Sequence, residues 1–487
     1  MPAKLHFNGI DGATGNYLTA PQSEHEFSRR LVAGFRGQRP GRDEVEHRAE
    51  IRKTQEPNGP PLGVKAGVDA TRLSEAGWGI IFAADDEDAP AIQEALQPLL
   101  ALRRGQAGER FRLFQGHDGY RPGETKNRFL RRYNMSPGPA DPDRVPYYLL
   151  IAGDPERIPF SFQYQLDVQY AVGRLHFDSL DAYASYAAGV AAAEAGQLAR
   201  RTTPRRATFF GVTSPDDPAT EASAEYLVRP LAERLGQAQA HRGATWQVQT
   251  ILGREASKAR LAGLLQGDQA PALLFTASHG MAFPAGDPRQ QHHQGGLLCA
   301  DWPGPVQWQG PIPPEFYFSA DDLGADTRVQ GLVAVHFACY GAGAPRYADQ
   351  AFAALHESTE LAPRAFVARL PQQVLGHPRG AALAVIGHVE RAWGYSFLWE
   401  GVEGPQLATF ESVLTGLMQG QPVGLAAEYL NERYAELAEE LGQQIPHLLA
   451  GRQYDEAELA GLWTALNDAR GYVIIGDPAV RLVSADT

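Results

Sequence analysis

The chain has 487 residues, of which 44% are hydrophobic and 21% charged, so it can bury a large core and is too long for a small stapled scaffold. With 44 Lys and Arg against 57 Asp and Glu, the formal net charge is −13, which gives no electrostatic footprint for nucleic acid or an anionic membrane. Two cysteines, Cys299 and Cys339, exclude a disulfide framework and fit a reducing compartment.

The first ten residues, MPAKLHFNGI, lack the continuous apolar core of a signal peptide, and no later apolar run reaches the roughly 20 residues of a spanning helix. A cytoplasmic protein is expected. Residues 1–74 carry a Gly/Asn-rich start, NGIDGATGNY, and then a polar stretch that reads as an exposed helix or linker. No chemistry is assigned to this extension.

From Trp78 a β-α-β rhythm begins: the apolar run WGIIFA (78–83), helical spacing over 90–104, apolar FRLFQG (111–116), a polar helical candidate over 124–134, and the strand YYLLIAG (147–153). An alanine-rich helix from Leu180 ends in LARRTTPRR, where Pro204 and the clustered arginines mark a division near 200–206. Beyond it the rhythm restarts, with strands at 207–212, 246–251, 271–277, 331–338 and 382–389 and helices to about residue 470. Two successive α/β sheets are expected. Residues 1–74 then form an extension, 75–205 a first subdomain and 206–487 a second.

In open parallel sheets ligands bind beyond the carboxyl ends of the strands. Two such ends carry reactive side chains: PALLFTA runs into Ser278-His279-Gly280, and GLVAVHF into Ala338-Cys339-Tyr340-Gly341. One right-handed crossover between them would make the strands neighbours. An imidazole beside a thiol can take its proton or lower its pKa, and the N–H groups of Gly280 and Cys339 can together stabilise an oxyanion. Taken singly, Cys339 would be a buried core residue and His279 a structural histidine. The loop 281–320 holds His292, His293 and Cys299 but no fourth ligand at sensible spacing, so no metal site is expected. A phosphate loop, a G-x-S-x-G elbow and an H-E-x-x-H helix are absent.

The blocks LLFTASHG and VAVHFACYGAG resemble the histidine-glycine and alanine-cysteine blocks of clan CD cysteine peptidases. YYLLIAGDPERIP (147–159), YAVGRL (170–175), GAALAVIGHVERAW (380–393) and GYVIIGDPAVRL (471–482) resemble the gingipain type, in the same order, over residues 75–485. The resemblance implies an α/β fold of two consecutive caspase-like, three-layer α/β/α subdomains with mainly parallel sheets, the second bearing the catalytic residues. It implies Cys339 as nucleophile, His279 as general base and acid, Gly280 as oxyanion donor, and hydrolysis of protein or peptide substrates through a thioester with no cofactor and no metal. It also implies a basic-residue specificity in which an acid, here Asp167 and slightly out of register with the family position, lies under a tryptophan lid, here Trp393. Cleavage after Arg or Lys is the expectation, with the loop around Arg200, Arg201, Arg205 and Arg206 as a self-cleavage site.

The absence of a secretion signal departs from gingipains. The expected role is an intracellular endopeptidase acting on chosen proteins in bacterial signalling or defence, answering to a regulatory activator and without nucleic-acid or membrane partners. The alternative is a catalytically silent caspase-like scaffold.

Overall fold

The computed structural model describes residues 4–37, 63–196, 205–241, 246–266, 270–348, 360–394, 396–398 and 403–482. Most of the polar stretch after residue 37 lies outside these, as do Arg200 and Arg201 of the expected self-cleavage loop.

Ten strands supply the core: β1 (Trp78–Ile81), β2 (Phe111–Phe114), β3 (Tyr148–Ala152), β4 (Ala171–Leu175), β5 (Arg206–Gly211), β6 (Gln247–Leu252), β7 (Leu273–Ala277), β8 (Val333–Phe337), β9 (Ala384–His388) and β10 (Tyr472–Gly476). The central ones, such as YLLIA, LLFTA and VAVHF, are apolar and buried throughout, as expected for strands covered on both faces by helices. The result is the α/β architecture expected from the β-α-β rhythm. The two strand sets join edge to edge in one sheet of order β2-β1-β3-β4-β10-β9-β8-β7-β5-β6.

The last strand makes the join. β10 runs parallel to β4 but antiparallel to β9, so the strands of the first half point opposite to those of the second. Just beyond it, Asp477 accepts from Trp78 Nε1 at 2.9 Å and from Arg103 Nε at 2.6 Å, and Arg103 also pairs with Glu194 at 2.6 Å. Arg103 and Asp477 are buried; a buried charge of this kind is tolerable only because it is paired and hydrogen-bonded. The YAVGRL block has a structural task as well: Arg174, fully buried, donates to the carbonyls of Gly153 and Ile158 and to Gln163, fastening the loop that follows β3.

Helix α1 (Glu24–Gly37) of the N-terminal extension packs beside the later helices, here α3 (Val423–Leu449) and α4 (Glu456–Gly471), with α2 (Phe160–Asp167) preceding β4. Leu5, Phe7, Phe27 and Leu31 share an apolar cluster with Trp393, Leu437, Leu459 and Trp463. Hydrophobic burial therefore fixes the extension to the second half of the chain. Among the described residues no helix is long and apolar enough to cross a membrane.

Candidate active site

β7 and β8 are adjacent and parallel, with Ala277 opposite Phe337. Each is followed within two residues by one member of the predicted pair, so His279 and Cys339 leave the sheet at the same edge. Both are fully buried. The crossover between them, 278–332, contains short strands, 3-10 turns and the four-residue helix Gln290–His293 rather than one long helix. His293 contacts Tyr317 and Asp321, and Cys299 donates to the Leu297 carbonyl. Among the described residues no group of three or more His, Cys, Asp or Glu is arranged to hold a metal ion.

His279 is oriented by a residue that the sequence reading passed over. Its Nε2 is 2.8 Å from Asp217 Oδ2, and the same carboxylate accepts from Thr220 Oγ1 at 2.6 Å and Tyr17 OH at 2.6 Å. Burial alone would raise this carboxyl, but its attraction to His279 and those three hydrogen bonds hold it below its ordinary value. Asp217 leaves β5, the other neighbour of β7, so it meets the same sheet-edge criterion that singled out the pair. The rings of Tyr17 and Trp302 stand edge-on to the imidazole, with centroids 5.7 and 6.1 Å away.

Cys339 Sγ accepts from the Ala392 N–H at 3.3 Å. Burial pushes its thiol up to about 12, against the pull of that N–H and of Arg391, so the thiol stays protonated near neutrality. The next residue, Tyr340, has φ +59 and donates its N–H to the carbonyl of Glu390, itself at φ +75. Left-handed backbone at two non-glycine residues stores strain beside Cys339.

Gly280 lies against the Cys339 backbone: an added Cβ would overlap the Cys339 carbonyl oxygen and stand 2.7 Å from its nitrogen. Among the described residues neither the Gly280 N–H nor the Cys339 N–H donates a backbone hydrogen bond. They are two neighbouring donors suited to a developing oxyanion.

The N-terminal extension, to which the sequence reading gave no chemistry, fills the space between the pair. The Gly9 N–H donates to His279 Nδ1 at 2.8 Å, and a Cβ added to Gly9 would be 3.0 Å from Cys339 Sγ. Gly9 has φ +103, a conformation open to glycine, whose lack of a side chain lets the backbone approach the sulfur. Beyond it Ile10–Asp11 pair in parallel with Met281–Ala282, while Leu18 and Thr19 hold Arg391.

Asp167 and Trp393 are not brought together as expected. Trp393 is fully buried in the apolar cluster of the N-terminal segment, the leader, with its ring edge-on to Phe7 and Trp463 at 5.1 and 4.9 Å and its backbone N–H donating to Asp468 Oδ1. Asp167 ends α2 at the same sheet edge as Cys339, but three strands along, roughly 14 Å at ~4.8 Å per step. Its carboxyl accepts the Val172 N–H at 3.0 Å and faces a cavity lined by Ile386, Leu430, Tyr472 and Ile474. Burial pushes it well above the carboxylate range, only partly offset by that N–H. A carboxyl whose ionised form is disfavoured by burial, and which is already engaged by a backbone N–H, is a poor receptor for a guanidinium.

No family model and no curated protein matches the chain. Among solved structures it is similar to one described as "Structure of Protease", at 13% identity over 84% of this chain and 79% of that one, with a TM-score of 0.48. It is also similar to the Arg-specific cysteine proteinase gingipain R, at 10% identity over 83% and 78% of the two chains, with a TM-score of 0.45. A third similar structure is the complex of Porphyromonas gingivalis RgpB pro- and mature domains, at 10% identity, 84% and 81% coverage and a TM-score of 0.42.

Proposed function

We propose that the chain is a cysteine endopeptidase. One observation carries the reading: a backbone amide, that of Gly9, is held between an imidazole nitrogen and a thiol at the ends of two adjacent parallel strands. That is the arrangement peptide-bond cleavage by a thiol requires. Cys339 attacks the carbonyl carbon, the N–H groups of Gly280 and Cys339 hold the oxyanion, and His279 moves the thiol proton to the leaving nitrogen. Asp217 is a positioning residue, fixing the ring so that Nδ1 faces the reacting atoms and stabilising the imidazolium when it forms. Water then hydrolyses the thioester.

A peptidyl reagent that alkylates thiols tests this: it should modify Cys339 in the wild type and fail in His279→Ala. One observation favours the silent scaffold instead, namely that the cleft is filled and the thiol fully buried. Under that reading Cys339 stays unmodified even after the leader is dislodged, and no peptide is hydrolysed.

A further inference from the structure

The leader crosses the candidate cleft in one continuous course. Phe7 lies against Trp393, Asn8 is fully buried with Nδ2 3.4 Å from the Ser278 carbonyl, Gly9 carries its N–H to His279, and Ile10–Asp11 continue along Met281–Ala282. We propose that this segment is bound as a substrate: the Asn8–Gly9 peptide bond is the one presented to Cys339, the chain cuts itself there, and the enzyme selects an uncharged carboxamide side chain before the scissile bond.

The inference rests on the cysteine peptidase reading and adds the substrate class to it. When the Asn8–Gly9 bond breaks, the Gly9 nitrogen must receive a proton, and it is this nitrogen that sits 2.8 Å from His279 Nδ1. The carbonyl to be attacked is bonded to that nitrogen, and the Gly9 backbone is the part of the leader that approaches the sulfur. The leaving nitrogen is thus beside the imidazole and its backbone beside the thiol. Attack further requires the Asn8 carbonyl to turn onto the N–H groups of Gly280 and Cys339, neither of which donates to a backbone carbonyl among the described residues, and His279 to carry the thiol proton.

The surroundings of Asn8 define the preference. Its amide N–H₂ points at a backbone carbonyl, and its Oδ1 lies where a Cβ on Gly394 would come within 2.6 Å. A glycine at 394 thus makes room for a short planar group. The acid expected to choose a basic residue, Asp167, is occupied with Val172 three strands along the edge. The Asn8 Nδ2 reaches the Ser278 carbonyl while its Oδ1 has no hydrogen-bond partner among the described residues, so it is the loss of this one donor that penalises an apolar residue at the position.

The step balances without an external oxidant or reductant. The Cys339 thiol gives its proton to His279 and its sulfur bonds the Asn8 carbonyl carbon. The carbon–nitrogen bond breaks, and His279 passes the proton to Gly9. Water then replaces the sulfur, leaving a carboxylate on the fragment Met1–Asn8, a free amine on Gly9 and the thiol restored.

N-terminal sequencing of purified full-length chains over time is the test. Wild type should acquire the terminus Gly9-Ile10-Asp11, Cys339→Ala should keep its original one, and Asn8→Leu, checked for folding by circular dichroism, should cut at least tenfold more slowly. The same wild-type preparation is also offered a peptide library varied at the residue before the scissile bond, in which Asn should lead. Cys339-dependent hydrolysis by a chain that keeps residues 1–8 attached, or a preference for Arg or Lys, overturns the proposal and leaves the peptidase reading standing. If Cys339 cuts neither the library nor its own chain and takes no peptidyl alkylating reagent, the peptidase reading falls as well.

Discussion

His279 Nε2 and Asp217 Oδ2 are 2.8 Å apart, and both side chains are shut away from solvent. A neutral amide at position 217 can keep the shape of this contact but not its charge, so the imidazolium loses its partner and the ring its fixed tautomer. Asp217→Asn should lower kcat for a cleavable peptide by about a hundredfold or more, the scale of general acid–base catalysis, with KM little changed. The split between kcat and KM separates this from a structural role: the folded fraction by circular dichroism should stay near that of wild type while kcat falls. A loss of activity only in proportion to a loss of folded protein would contradict the assignment.

Gly280 is a position where a single methyl group is decisive. The Cβ of alanine would overlap the Cys339 carbonyl oxygen, and backbone rather than a pliable side chain would have to give way. Gly280→Ala should cost about 1–3 kcal/mol in urea denaturation, the usual range for overpacking. If the proposed oxyanion site is right, it should also abolish hydrolysis in the fraction that folds, because the shift separates the N–H groups of Gly280 and Cys339.

The Cys339 thiol, pushed up to about 12 by burial, is almost wholly protonated at neutral pH. Raising the pH, or letting water reach the sulfur, populates the thiolate. In a Cys299→Ala background, iodoacetamide modification of Cys339 should be slow and should rise roughly tenfold per pH unit from pH 7 to 9. Gly9→Ala should accelerate it at pH 7.5, because the new methyl would stand 2.6 Å from Leu18 Cδ1 and 3.0 Å from Sγ in a left-handed conformation. The leader is then dislodged and water reaches the sulfur. Equal rates for glycine and alanine at position 9 would show that the leader does not guard the thiol.

Asp477 holds the first half of the sheet to its last strand through Trp78 and Arg103. Asp477→Ala leaves Glu194 as the only carboxylate on Arg103 among the described residues and should destabilise the protein by about 3–5 kcal/mol, the scale for breaking a buried ion pair. Adding Arg103→Met should recover part of that loss, since the buried guanidinium that has lost one of its two carboxylates is then gone. Double-mutant analysis of urea midpoints measures the coupling.

Local signals made most of the sheet legible. Buried parallel strands are near-continuous apolar runs, and those runs placed Ala277 and Phe337 close enough to their true ends for His279 and Cys339 to be found together. Asp217 follows the apolar run ATFFGV by the same logic, but as one acid in SPDDPAT it has no periodicity or spacing to mark it. The role of Phe7, Asn8 and Gly9 was not legible, because it depends on contacts with residues some 270 positions later that leave no local pattern. The separation of Asp167 from Cys339 along the edge was hidden for a related reason. Its position at the sheet edge is fixed by β10, which sets two strands between β4 and β8.

The position of β10 also orders the protein's biosynthesis. Tyr472–Gly476 fills the slot between β4 and β9, so on the ribosome the two halves wait with open edges until residue 476 has emerged, although His279 and Cys339 were made long before. The apolar cluster that binds the leader includes Leu459 and Trp463, which emerge just ahead of β10. The setting of His279 and Cys339 and the segment that covers them are thus completed almost together, and a nascent chain stalled before α4 has its leader unanchored and its central strand edges exposed to aggregation.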